Sequence, residues 1–150
     1  MRTRIATALK DAMREKNAVR VSTLRLMLAA LKDREIALRG DEGQEGLSEA
    51  DALALLARML KQREESIASY EQAARMELAE QERQEAEIIA EFLPKRLSAE
   101  EVERAVGKAI EAAGATSIRD MGKVMQALKR DFTGRMDFAA ASAKVKAALG

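Results

Sequence analysis

The chain has no cysteine and no histidine. Thiolate and imidazole nucleophiles, histidine general bases, Cys/His zinc sites and disulfides are therefore excluded together. Tryptophan is also absent, and one tyrosine and three phenylalanines are the whole aromatic supply of 150 residues. A base-stacking platform for single strands lacks its parts. No apolar run approaches the roughly 18 residues of a membrane span, and the stretch from Met1 to Leu9 meets Lys10 and Asp11 too soon for a signal peptide. The expectation is a soluble cytoplasmic protein with no membrane partner. An excess of charge of one sign is missing too: 26 basic residues face 25 acidic ones, net +1. Any attraction to a polyanion must then be local.

Helix chemistry is what remains. Hydrophobic residues are 47% of the chain, with 30 alanines, whereas Val, Ile and Thr together number only 18. Ala, Leu, Glu, Arg and Lys lose little side-chain freedom in a helix, and strands favour branched and aromatic residues, so the expected fold is all-α. The length suffices for one ordinary domain or two small ones.

Along the chain, Ile5, Leu9, Ala12 and Met13 recur at helical spacing, which predicts a first short helix ending near Asn17. From Val21 to Leu38 the residues Val21, Leu24, Met27, Leu28 and Leu31 share one face, and Arg25, Lys32 and Arg39 stand seven apart on another. Three glycines between Gly40 and Gly46 break the period and predict a mobile acidic loop. Ser48 with Asp51 resembles a capping box opening a long helix through Leu56, Met59, Leu60, Arg63, Ile67, Tyr70 and Ala74. A bend is expected between Ala73 and Leu78, then a helix through Ile88, Ile89, Phe92 and Leu93. That helix must stop ahead of Pro94, the only proline, because proline disfavours helical geometry in the residue before it.

Leu97, Ser98, Glu101 and Val102 combine an N-cap, a capping-box acid and a hydrophobic staple. The helix they open carries Val102, Val106, Ala109, Ile110 and Ala113, and Gly114 supplies the left-handed residue that closes it. Ser117 and Asp120 repeat the capping pattern ahead of Met121, Val124, Met125 and Leu128. Gly134 marks the next loop, and Asp137 caps a last helix with Phe138, Val145 and Leu149 inside. The organisation expected is an N-terminal helical domain of about four helices, residues 1–97, and a three-helix tail, residues 98–150, divided around Pro94, Lys95 and Arg96. No internal repeat is visible.

The charge is unevenly spread. Residues 1–39 carry a net +6, residues 40–97 −7, residues 98–113 −2 and residues 114–150 +4. Basic segments flank an acidic middle, a pattern that serves phosphate binding because Lys and Arg displace condensed counterions. The tail cluster Arg119, Lys123, Lys129, Arg130 and Arg135 falls within 17 residues holding only two acids. Gly122, inside this helical pattern, costs about 1 kcal/mol relative to alanine and would admit a close backbone approach by an anion or RNA. Arg25, Lys32 and Arg39 form a secondary stripe that fits equally an ordinary wet face or pairing with the acidic segment. Gly107 reads as a helix packing point. Met121 and Met125 fit either a core or a soft binding face. Glu64, Glu65, Glu82 and Glu85 lie on charged helices, where carboxylates are ordinarily solvated, and receive no catalytic role. No glycine-rich phosphate loop or metal-ligand cluster is present, so neither cofactor nor metal is expected.

Four stretches, Leu24–Ile36, Leu60–Ile67, Phe92–Ser98 and Gly114–Met125, resemble in this order the GatB/YqeY family across essentially the whole chain. Relatives tend to carry glycine near position 74, where this chain has Ala74, and the segment from Lys129 to Phe138 departs from their pattern. The resemblance implies a helical N-terminal domain and a tail similar to that of the B subunit of glutamine-dependent tRNA amidotransferase, a carbon–nitrogen ligase with glutamine as amido donor. It thus implies tRNA as a partner, and amidotransferase or aminoacyl-tRNA synthetase components as protein partners. The catalytic domain of that subunit has no counterpart here, so no catalysis by this chain alone is expected. Two other readings stand beside it: a helical protein–protein adaptor without RNA binding, docking through its long helices and Met121/Met125, and an amidotransferase active with other subunits.

Overall fold

The computed structural model describes residues 1–39 and 46–150; the acidic loop expected at 40–46 lies almost wholly outside the described residues. Among the described residues the chain is helical with no strand: α1 (Arg2–Arg14), α2 (Ala18–Arg39), α3 (Glu49–Gln72), α4 (Met76–Ala90), α5 (Ala99–Ala113), a 3-10 turn (Ile118–Asp120), α6 (Met121–Phe132) and α7 (Phe138–Leu149). No helix among them is long and apolar enough to cross a membrane.

Two compact units result, Met1–Leu93 and Pro94–Gly150. The second therefore begins four residues before Ser98. Its leading segment is tied down within the unit: the Leu97 amide donates to the Arg135 carbonyl at 2.9 Å, and Arg135 Nε donates to the Lys95 carbonyl at 3.1 Å.

In the first unit α1 packs on α2, α3 on α4, and α4 also on α2. Ile5, Leu24, Met27, Leu31, Leu56 and Ile89 are fully buried at the centre, with Met59, Leu60, Ile88 and Phe92 beside them. Asn17 starts α2 instead of ending α1. Its Oδ1 accepts the Arg20 amide at 3.1 Å, while α1 closes through Lys16 in the left-handed region at φ 55°. The expected bend after α3 is a left-handed turn at Ala74, φ 58°, closed by the Arg75 amide donating to the Tyr70 carbonyl at 2.8 Å.

Glu82 and Glu85 are not solvated as their sequence context implied. Both are half-buried and flank Arg63 of α3, with Arg63 Nε 3.5 Å from a Glu82 oxygen and 3.0 Å from a Glu85 oxygen. This explains why an arginine sits on the apolar stripe of α3: its charge meets two carboxylates across the α3–α4 contact. The approach is an ion pair without hydrogen-bond alignment, since Arg63 Nε and Glu82 Oε2 are buried with no hydrogen-bond partner.

The second unit has its own core of Ala105, Val106, Val124, Leu128, Met136, Ala141 and Val145. Ser98 caps α5 reciprocally: its hydroxyl accepts the Glu101 amide, the Glu101 carboxylate accepts the Ser98 amide, both at 3.1 Å, and Gly114 closes the helix at φ 61°. Asp137 caps α7 by accepting the Ala139 amide at 3.0 Å. Ser117 does not cap. The Asp120 carboxylate accepts the Thr116 amide at 3.0 Å, and a 3-10 turn leads into α6.

Candidate nucleic-acid interface

The candidate surface rests on α6. Successive helical residues turn by about 100°, so Val124 and Leu128, both buried, share one side with Met121, Met125 and Phe132, which pack against the same core. The opposite side holds Gly122, Lys123, Gln126, Lys129 and Arg130, all exposed. They span an arc of about 120°, and Lys123 and Arg130 stand about 10 Å apart along the axis. Three positive charges therefore face solvent on one side of α6, with Gly122 exposed beside Lys123 at the start of the helix and Asp131 adjoining Arg130. Met121 and Met125 are core fillers, not a free docking face.

Individual side chains differ in how free they are. Lys123, Lys129 and Arg119 are exposed, and Arg119 leads into α6 from the 3-10 turn. Arg130 Nε lies 3.1 Å from Asp131 Oδ1, and this hydrogen bond and charge raise the guanidinium pKa further above its ordinary value. Both groups are exposed, and such a pair contributes little and yields readily to a phosphate. The Asp120 carboxyl is held below the usual carboxylate range, first by the Thr116 amide, then by the Ser117 amide and the charge of Lys123, with desolvation opposing. The Met121 amide donates to the Ile118 carbonyl. The start of α6 thus carries an acid and a used amide, so the positive charge of this surface comes from the cationic flank rather than from the helix terminus.

Arg135 stands apart from this face. Its guanidinium bonds the Lys95 carbonyl and lies 6.0 Å from the Phe132 ring centroid, on the core side of α6. There it joins Glu101, Arg104 and Lys108 around a groove of about 320 Å3. Sequence reasoning missed Arg104 and Lys108. They are four residues apart on one face of α5, a signal hidden by the net negative charge of residues 98–113.

The secondary stripe is also divided. Arg39 lies 3.0 Å from Glu35, which is paired with Arg2 as well, whereas Arg25 and Lys32 are exposed and form no ion pair among the described residues. Gly107 is no packing point: it is exposed, and a Cβ there would meet nothing within 4 Å. Gly122 has the same open surroundings. Nothing among the described residues requires either glycine.

A family model described as Yqey-like protein matches residues 2–149, nearly the whole chain. The chain belongs to the YqeY-like family. No curated protein matches it. The matched span of this YqeY-like chain takes in α1–α7, the helices of both units.

Proposed function

We propose that this YqeY-like protein is an accessory tRNA-binding protein, linked to glutamine-dependent tRNA amidotransferase and not catalytic on its own, that holds structured RNA by its phosphates through α6. The observation that carries the reading is the shared exposure of Lys123, Lys129 and Arg130 on one side of α6, with Gly122 bare next to Lys123. Arg119 extends the footprint at the start of the helix. The amidotransferase link rests on what the sequence resemblance of stretches such as Gly114–Met125 implies, a tail similar to that of the enzyme's B subunit. Backbone recognition suits a chain with so few aromatic side chains, because phosphate contacts need only well-placed cations.

The test is tRNA binding as a function of salt. With three phosphate contacts the log–log slope is about −2 to −3. Lys123→Gln/Lys129→Gln/Arg130→Gln flattens it toward zero, and an unchanged slope in that variant refutes the assignment. Arg135→Gln, in contrast, leaves the slope close to that of the parent chain and lowers stability instead.

A further inference from the structure

Helix α2 buries one side in the first core, yet its outer side is not uniformly polar. Val19, Leu26 and Ile36 are 38%, 47% and 54% exposed, and they lie on one side of the helix. Together with Ser22, Ala29 and Asp33, all exposed, they recur alternately three and four residues apart from Val19 to Ile36. That is the spacing of a helix seam, about 26 Å long. Arg25, Lys32 and Arg39 run along one flank of this strip at seven-residue intervals. Arg39 is already paired with Glu35, but Arg25 and Lys32 have no ion-pair partner among the described residues. On the same flank, between α1 and α2, lies a groove of about 420 Å3 lined by Arg2, Thr3, Ala6, Leu28, Ala29 and Lys32.

We infer that the outer side of α2 is a docking surface for an amphipathic helix of a partner protein, apolar at a three-four spacing and acidic along the edge that meets Arg25 and Lys32. Val19, Leu26, Ala29 and Ile36 supply the apolar contact of the strip, and the cationic row sets orientation and selects an acidic flank. The groove beside Lys32 takes a bulky side chain of the incoming helix. A second copy of this chain suits the strip poorly in the antiparallel sense, because Arg25 and Lys32 would then face Lys32 and Arg25 of the other copy. RNA suits it poorly as well, since three half-exposed aliphatic side chains offer phosphates nothing.

The test uses the full chain and two labelled synthetic helical peptides of about 18 residues, identical in a leucine seam but carrying either glutamates or lysines every seventh residue along one edge. Fluorescence anisotropy at low salt is expected to show the glutamate peptide bound at least tenfold more tightly. Leu26→Glu and Ile36→Glu each weaken that binding by tenfold or more, and Arg25→Glu/Lys32→Glu reverses the preference between the peptides. Ser22→Glu, at an exposed position that leaves every buried contact intact, gives the same loss without risk to folding. Equal binding of the two peptides, or unchanged affinity in Ser22→Glu and Leu26→Glu, overturns the inference. So does sedimentation as a dimer that Leu26→Glu dissociates, which makes the strip a self-interface. A flattened tRNA salt slope in the Arg25→Glu/Lys32→Glu variant overturns it in favour of RNA.

Discussion

At Ala74 the backbone stands at φ 58°, a conformation in which the alanine Cβ crowds its own carbonyl. Relief of that crowding exceeds the extra chain entropy of glycine, so Ala74→Gly is expected to stabilise the first unit by about 0.5–1 kcal/mol, read as a higher urea midpoint at unchanged slope. Gly122 poses the opposite case. An added Cβ there meets nothing within 4 Å, so Gly122→Ala raises stability by about 1 kcal/mol through helix propensity alone. If RNA approaches the bare backbone, the same substitution weakens tRNA binding several-fold. A variant that melts higher and binds as well as its parent would show that Gly122 has no part in the contact. At Arg63 the outcome is a loss: Arg63→Met leaves Glu82 and Glu85 half-buried without their counter-charge, at a cost of about 1–3 kcal/mol. Urea unfolding at pH 7 measures it.

Among elements, α5 makes a pH prediction. The Glu101 carboxyl is held below its ordinary range chiefly by the Ser98 amide and then by the Ser98 hydroxyl. A carboxyl whose pKa is lowered in the folded state contributes stability above its unfolded pKa, near 4.3, and loses it as pH falls through the lower folded value. Melting temperature should therefore drop less between pH 6 and pH 3 in Glu101→Gln than in the parent chain. The same element shows what the sequence could reveal. Ser98, Glu101 and Gly114 announced both ends of α5, as Ser48 did for α3 and Asp137 for α7, because capping is decided within a few residues of the chain. The 3-10 entry to α6 was not announced: a Ser117 cap would take an amide downstream of it, whereas Asp120 reaches back to accept the Thr116 amide. The core and outer sides of α6 followed from its period, so Lys123, Lys129 and Arg130 were legible as a group. Arg135 was not, since its place depends on Lys95, forty residues away. Arg63 falls within the apolar period of α3, and what pairs with it lies on another helix.

For the whole molecule, the break at Pro94 separates two units, each with a core of its own. The second has fewer than about 60 residues, a size at which stability is marginal. Leu128→Ala empties a position that is 1% exposed and costs about 2–5 kcal/mol. Hydrogen exchange is expected to show the lost protection across α5–α7, with α1–α4 retaining theirs. The charge of the molecule sums almost to zero, yet its cations are arranged in distinct places with distinct surroundings: a polar face on α6, and an apolar-edged row on α2. In the two proposals made above, RNA takes the first and a partner helix the second. The most direct measurement of the central claim is the salt dependence of tRNA binding by the parent chain and by Lys123→Gln/Lys129→Gln/Arg130→Gln. A slope of about −2 to −3 that collapses in the variant is the predicted result; equal slopes in the two proteins contradict it.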